Sequence, residues 1–214
     1  MQIYFLIFLI CLVSGCSSIK KIDKTKTLAI FKEVITGDFD NSKQVDDEVA
    51  NGTQIHPYAK HVNRIANDKI EGLPKTKRGD NFWLIEESYY KYPTKPLEIK
   101  PYLFNFQQGE NETVLLRVYQ FPSEVKKEDI TNSNIHLRFK YIELTPSPTF
   151  KGATYIYNKK EGTFSTNSPN DLGNGIKFTL IETLSKNKLI VMELLEKNSQ
   201  RVTTYNTPII YDRK

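Results

Sequence analysis

The side chains best suited to bind a small molecule lie on predicted strands near the middle of the chain. Alternation places Glu87 with Tyr89 on one face of a strand and Arg117 with Tyr119 on one face of another, and Tyr102 lies on the strand between them. If these faces line a barrel, the tyrosines provide an apolar wall with polar tips that suits a small amphiphilic ligand. If they point outwards, the same side chains are solvated and Arg117 pairs with a neighbouring strand. The sequence leaves both alternatives open.

Other kinds of chemistry find little support. His56 and His61 are five positions apart, whereas two histidines that bind a metal from one helix face are four apart. The sequence has no glycine-rich phosphate loop, no Gly-x-Ser-x-Gly elbow and no His-Glu-x-x-His pattern. The net charge of +5 is modest and dispersed, so we expect no nucleic-acid partner. We therefore predict no metal site and assign no catalytic residue.

The first sixteen residues, MQIYFLIFLICLVSGC, are almost wholly apolar and end in Val-Ser-Gly-Cys. A short apolar run with small residues before a cleavage site is typical of a secretory signal rather than of a membrane-spanning helix. A cysteine directly after Val-Ser-Gly matches the bacterial lipobox pattern. We therefore predict a signal peptide over residues 1–15 and lipid on Cys16, with an ordinary signal peptide or a membrane anchor as the alternative.

A lipidated Cys16 would decide both the location and the thiol chemistry of the protein. Several acyl chains, palmitate among them, hold a protein stably on a membrane. Cys11 would leave with the signal peptide and Cys16 would be capped, so we expect no disulfide and no reactive thiol. Because Ser17 and Ser18 are not the aspartate that retains some lipoproteins at the inner membrane, we expect a cell-envelope protein on the outer membrane, facing the periplasm. Residues 16–26 would form the lipidated tether.

Residues 27–214 are predicted to form one mainly β domain. Helical spacing covers residues 27–36 and 56–69. Runs of alternating or β-branched residues, separated by turn formers, then predict strands at 82–90, 99–107, 112–121, 135–144, 152–158, 176–184, 188–196 and 201–212. Closely spaced strands with short loops favour an antiparallel β-barrel from about residue 80, with the short N-terminal helices packed on it. A β-sandwich is the alternative.

One short stretch carries a family resemblance. TGDFDNSKQ is similar to the amino-terminal signature of the CpcT/CpeT family of chromophore lyases, a Gly-x-Phe-x-Asn-x-x-Gln core at the end of the first helix. The matching residues are Gly37, Phe39, Asn41 and Gln44. HPYAKHVNRI, FWLIEESYY, KPYLFNF and LLRVYQFP then follow in the order of the family's segments, so the resemblance covers roughly residues 28–122. It implies a calycin- or lipocalin-like barrel that attaches a linear tetrapyrrole, a bilin, to a cysteine of an acceptor protein.

The residues and the resemblance together give the functional hypotheses. The family's Pro-Tyr strand here reads PYLFN and lacks the family's two basic residues, so we expect the fold to be kept more closely than the reaction. We predict a CpcT/CpeT-like envelope lipoprotein that binds a small amphiphilic, tetrapyrrole-like ligand or an envelope partner. One alternative is an active bilin lyase with its acceptor protein, and another is a structural lipoprotein whose barrel is filled.

For the signature itself we predict a structural role. Gly37 should end the first helix, because glycine readily takes the left-handed conformation found there. Phe39 should enter the apolar core. Asn41 and Gln44 should bond backbone groups left unpaired at the helix end and the following turn.

Overall fold

The computed structural model describes residues 24–74, 80–203 and 205–214, and β-strands are its main secondary structure. The helices are α1 (Lys24–Ile35) and α2 (Ser42–Ala50). The strands are β1 (Gly37–Asp40), β2 (Tyr58–Ile65), β3 (Ile70–Glu71), β4 (Asn81–Lys91), β5 (Glu98–Gln108), β6 (Thr113–Gln120), β7 (Phe139–Lys140), β8 (Thr145–Pro146), β9 (Ala153–Asn158), β10 (Thr163–Gly173), β11 (Ile176–Leu184), β12 (Lys188–Lys197), β13 (Gln200–Arg201) and β14 (Ile209–Arg213). The predicted signal peptide, Cys16 and most of the predicted tether lie outside the described residues. Neither described helix is long and apolar enough to cross a membrane.

Ten of the strands form a closed antiparallel barrel. Around the ring the order is β11-β10-β9-β6-β5-β4-β2-β1-β14-β12, and β12 pairs with β11 to close it. β8 pairs with β6, β13 pairs with β12, and β3 forms a separate parallel pair with β7. The predicted barrel is therefore confirmed, and closure removes the two free edges that an open sheet would have, although β10 pairs with β9 only through Thr163, Phe164 and Ser165.

The apolar face of α1 fills one part of the barrel interior. Its buried residues are Leu28, Phe31, Val34 and Ile35, which recur at helical spacing as predicted. The ring of Phe31 lies 4.9 Å from the ring centres of Phe106, Tyr155 and Phe164. These rings pack together as part of the barrel core.

A second apolar cluster lies on the outer side of the barrel wall. Residues 121–144, the covering segment, pack over outward-facing side chains of β4 and β5. The buried members of the cluster are Ala66, Ile70, Trp83, Ile85, Leu103, Ile130, Leu137, Phe139 and Leu144. Both faces of β4 are therefore buried. The predicted strand over 135–144 is wrong, because only Phe139–Lys140 is a strand and Tyr141–Glu143 forms a 3-10 turn.

The region before β4 contributes two strands to the barrel, which starts at Gly37 rather than near residue 80. Residues 58–65 form β2, so the helix predicted over 56–69 is wrong. The period of two is hard to see in β2 because His61 and Asn63 are polar residues at buried positions. The second helix is α2 instead, and it has no buried side chain to give an apolar stripe.

Most of the remaining predicted strands match the structure. β4, β5, β6, β9, β11 and β12 agree with the predicted bounds within one residue at each end. β10 lies in a stretch where no strand was predicted, because SPNDLG is rich in turn formers. The predicted strand over 201–212 is divided, since β13 ends at Arg201 and β14 begins at Ile209.

The signature stretch connects α1 to β1 and ties both to β14. Gly37 follows the helix end with φ +142°, a conformation that favours glycine, and a Cβ there would lie 2.3 Å from Nη1 of Arg213. The guanidinium of Arg213 donates to the carbonyl oxygens of Thr36, at 2.6 Å, and of Val34. It also lies 4.5 Å from the ring centre of Phe39, which is fully buried. The predicted helix end and the predicted burial of Phe39 are confirmed.

Asn41 and Gln44 bond backbone groups, as predicted, but these groups belong to strands and not to the helix end. Asn41 Nδ2 donates to the carbonyl of Pro57 at 2.9 Å, and its Oδ1 accepts from the N–H of Ala59 at 2.7 Å. Gln44 Nε2 donates at 3.1 Å to the carbonyl that precedes β14, and its Oε1 accepts from the N–H of Ile210 at 2.9 Å. We call Gly37, Phe39, Asn41, Gln44 and Arg213 the latch.

Candidate ligand-binding cavity

The barrel interior is only partly filled. Beyond the aromatic packing under α1 lies a cavity of about 430 Å³, a size typical of sites for small molecules. Much of its wall is apolar. The apolar side chains include Phe104, Phe150, Phe178, Leu180 and Val191.

Tyrosines also line the cavity and add hydroxyl groups to its apolar wall. Those among the described residues of the wall are Tyr90, Tyr102, Tyr119, Tyr155, Tyr205 and Tyr211. Burial raises the pKa of Tyr90, Tyr155 and Tyr211 well above the ordinary value, and that of Tyr205 to about 12. Their hydroxyls therefore stay protonated at neutral pH and can donate hydrogen bonds.

His61 on β2 and Glu86 on β4 form an ion pair at the cavity wall. His61 Nδ1 lies 3.1 Å from Glu86 Oε1 and 2.9 Å from Ser88 Oγ, and the Ser88 hydroxyl donates to Glu86 at 2.7 Å. Burial lowers the pKa of His61, but the charge and hydrogen bond of Glu86 outweigh it, so the pKa is raised overall. Burial raises the pKa of Glu86, but His61 outweighs it, so the pKa is lowered overall. Both net shifts favour the charged pair.

Glu182 on β11 and Glu193 on β12 face the same cavity. Burial raises the pKa of Glu182 to about 7; the hydrogen bond from the Tyr155 hydroxyl opposes this shift and the charge of Glu86 adds to it. Burial also raises the pKa of Glu193, and no described residue donates a hydrogen bond to its carboxylate. The cavity therefore carries one acidic group that titrates near neutral pH, Glu182, and a second, Glu193, whose pKa is raised above its ordinary value.

Only some of the residues predicted as ligand-binding candidates lie at the cavity, and the others lie on the outer face of the barrel. Tyr102 lines the cavity. Tyr119 borders it, but its ring packs against Trp83 of the outer cluster, with 4.6 Å between the ring centres. Glu87 and Tyr89 lie on the outer face of β4, where Glu87 accepts from the Tyr89 hydroxyl and from a backbone N–H of the covering segment, both at 2.6 Å. Arg117 is exposed on the outer face of β6. The five residues are thus not brought together, and their role in binding stays a prediction.

The ionisable residues of the wall were not among those candidates. Alternation grouped Glu86 with Phe82, Leu84 and Tyr90, but it could not decide which face of β4 points inwards. The reason is that the covering segment buries the other face as well. A strand with two buried faces has no polar side to mark the exterior.

A signal for the other two glutamates is present in the sequence. Glu182 is in phase with the buried Leu180, two positions before it, and Glu193 is in phase with the buried Val191. A single carboxylate on an otherwise apolar strand face indicates an inward-pointing acid. His61 gives no comparable signal, because the polar Asn63 follows on the same face of β2.

Comparisons with known proteins leave the family open. No model of a known protein family matches the chain, and no curated protein sequence matches it. The CpcT/CpeT resemblance therefore rests on the signature residues and on the order of the segments that follow them.

Within residues 24–74, 80–203 and 205–214, no group of three His, Cys, Asp or Glu side chains is arranged to hold a metal ion. What the described wall offers a ligand is hydrogen bonds, charge and aromatic contact.

Proposed function

We propose that the protein is a lipid-anchored barrel that binds one small amphiphilic molecule in its lumen. The observation that carries this proposal is the cavity of about 430 Å³ inside a closed ring of strands. Small-molecule sites combine a concave apolar wall with a few polar groups that fix the orientation of the ligand. The apolar and tyrosine side chains would supply the first part, and the glutamates and His61 the second. A structural lipoprotein with a filled barrel is harder to reconcile with this space.

An active bilin lyase is the second candidate. In its favour, a carboxylate is the group expected to accept hydrogen bonds from the pyrrole nitrogens of a bilin, and Glu86, Glu182 and Glu193 face the cavity. Against it, no Lys or Arg occurs among the described residues of the wall to pair with the propionates. Ligand binding without transfer is therefore the better supported proposal.

Uptake of a neutral fluorescent amphiphile tests the proposed binding. The full chain, reconstituted in lipid nanodiscs, is titrated with N-phenyl-1-naphthylamine, and empty nanodiscs give the background. Leu180→Trp places a bulky ring on the cavity wall and should abolish the saturable signal. Ile142→Trp is the matched control, because Ile142 is 88% exposed on the covering segment. Absence of saturable uptake by the unaltered chain, or equal uptake by both variants, would contradict binding in the lumen.

Absorbance with bilins and haem separates the two candidates. A spectral shift that disappears on denaturation supports binding alone. A bilin that stays attached to a cysteine of an added acceptor protein after denaturation supports the lyase.

The lipid anchor needs a test of its own, because Cys16 lies outside the described residues. Cys16→Ser should release the protein from the membrane fraction, since acyl chains supply most of the anchoring free energy. Recovery of the unaltered protein in the soluble fraction without detergent would contradict the proposed anchor.

A further inference from the structure

The described cavity wall carries more acidic than basic groups. Given the proposed function, on which this inference rests, the excess of negative charge indicates a class of ligand. The described wall contains three glutamates and one histidine but no Lys or Arg. His61 pairs with Glu86, so their charges offset one another. Glu182 and Glu193 remain as acidic groups without a cationic partner within salt-bridge distance among the described residues.

Most of the hydrogen-bonding capacity of these two carboxylates is unused. A carboxylate offers about four acceptor positions, yet Glu182 receives only the Tyr155 hydroxyl and Glu193 receives no hydrogen bond from a described residue. His61 adds a second, independent observation, since its side chain is only 7% exposed and its Nε2 has no partner in the described chain. In the charged pair with Glu86 this nitrogen carries a proton, so it can donate to an acceptor atom of a ligand. Buried polar groups in folded proteins nearly always have partners. These polar atoms of the wall are therefore available to a ligand.

A contribution to stability does not explain why glutamates occupy positions 182 and 193. Burying a carboxylate without a partner costs free energy, and an apolar side chain of similar size at the same place would avoid that cost. The neighbouring inward positions of the same two strands carry Leu180 and Val191, so apolar residues fit this layer of the barrel. A binding role accounts for the acidic residues better than a packing role does.

We propose that the cavity selects amphiphiles that carry a protonated nitrogen, held by the carboxylates of Glu182 and Glu193. An ammonium or amidinium group would donate charge-assisted hydrogen bonds to them. The rings of Tyr205 and Tyr211 border the same space and add cation–π attraction, while the apolar part of the ligand lies against the phenylalanines. An anionic head group would meet like charge and no Lys or Arg of the described wall, so it is disfavoured.

Binding of such a cation depends on pH, because a protonated carboxyl cannot pair with it. The charged groups that act on Glu182 or Glu193 are His61 on β2, Glu86 on β4 and Lys100 on β5, and the charge of Glu193 also raises the pKa of Glu182. The tyrosines coupled to them are Tyr90, Tyr102, Tyr155, Tyr205 and Tyr211. The Nζ of Lys100 lies 3.2 Å from Oε1 of Glu98 and 5.7 Å from the ring centre of Tyr90. It therefore does not replace the ligand's cation.

A matched series of indoles tests the selectivity. Tryptamine, tryptophol and indole-3-propionate share one ring and differ in head-group charge, and their binding to the full chain in zwitterionic nanodiscs is measured by calorimetry. At about pH 8, tryptamine should bind about tenfold more tightly than tryptophol, and indole-3-propionate should bind most weakly. Tryptamine binding should weaken on lowering the pH to about 5, where Glu182, whose pKa is raised to about 7, is protonated while the amine keeps its charge. Equal affinities for the three indoles, or tryptamine binding that does not change with pH, would overturn the proposal.

Variants of the two glutamates locate the effect. Glu182→Gln and Glu193→Gln should each weaken tryptamine binding about tenfold and leave tryptophol binding within about twofold. Glu196→Gln is the matched control, since Glu196 lies on the same strand as Glu193 and pairs on the outside with Lys177 at 3.9 Å. Uptake of N-phenyl-1-naphthylamine without tryptamine binding would reject the cation selectivity alone. Failure of all four compounds to bind would reject the proposed function with it.

Discussion

The latch and the cavity wall are two buried polar regions of one barrel, and they treat their polar groups in opposite ways. In the latch, the side-chain NH2 and C=O groups of Asn41 and of Gln44 all have backbone partners. In the cavity, Glu193 and the Nε2 of His61 have none among the described residues. A satisfied polar network stabilises and specifies a fold, whereas an unsatisfied one costs free energy. The comparison favours a folding role for the latch and agrees with the proposed binding role of the cavity wall.

Removal of the latch aromatic should give the largest effect. Phe39→Ala should lower the free energy of unfolding by about 3–5 kcal/mol, because it leaves a cavity in a packed core. Phe178→Ala, in the cavity wall, should cost less because it enlarges a space that is already open. Urea denaturation measures both. An unchanged stability of Phe39→Ala together with lost probe uptake would place the latch in the binding site.

The pH dependence of the free energy of unfolding should show the cost of burying the Glu182 carboxylate. The folded state raises the pKa of Glu182 from 4.5 to about 7, so it favours the protonated form. The free energy of unfolding should therefore fall as the pH rises from about 4.5 to about 7, by on the order of 3 kcal/mol from this residue. Glu182→Gln should remove that part of the fall, as measured by urea denaturation across the pH range. An identical pH profile in the variant would show that Glu182 is not buried with this cost.

Loss of a latch amide should have an intermediate effect. Asn41→Ala leaves the N–H of Ala59 and the carbonyl of Pro57 without their partner, which should cost about 2 kcal/mol. Asn187→Ala is the control, because the Asn187 side chain is exposed and should change stability by less than about 0.5 kcal/mol. Thermal denaturation compares the two. Equal small losses would mean that water replaces the latch bonds at no cost.

The smallest effect is expected on the outer face. Arg117→Ala should change the free energy of unfolding by less than about 0.5 kcal/mol, since Arg117 is exposed. It should also leave uptake of N-phenyl-1-naphthylamine unchanged, because Arg117 does not border the lumen. Loss of uptake would move the site from the lumen to the outside of β6.

The sequence was sufficient to predict the fold where each strand had one apolar face or ended at a clear turn. β11 and β12 are examples, since both carry long apolar runs between turn formers. It was insufficient where polar side chains point inwards. His61 and Asn63 concealed β2, and the inward Asn170 and the turn formers around it concealed β10. Tertiary contacts, not local pattern, make those residues part of strands.

The site was harder to predict than the fold, for a specific physical reason. Alternation identifies two faces of a strand, but only an exposed polar face shows which one is outside. On β4 the covering segment buries Trp83 and Ile85, so the outer face looks like a core face. The adjacent pair Glu86-Glu87 was therefore visible, but which of the two points into the lumen was not.

The pairing of β1 with β14 also determines when the barrel can form. Gln44 bonds Ile210 from 166 positions away, and Phe39 pairs with Arg213 across the closing ladder. Contacts this distant in sequence form slowly, and they cannot form at all before the ribosome has made β14. A nascent chain therefore stays open until β14 has been synthesised. For a protein exported through a membrane channel, late closure would keep the precursor unfolded and competent for translocation, with its unpaired strands in need of chaperone protection meanwhile.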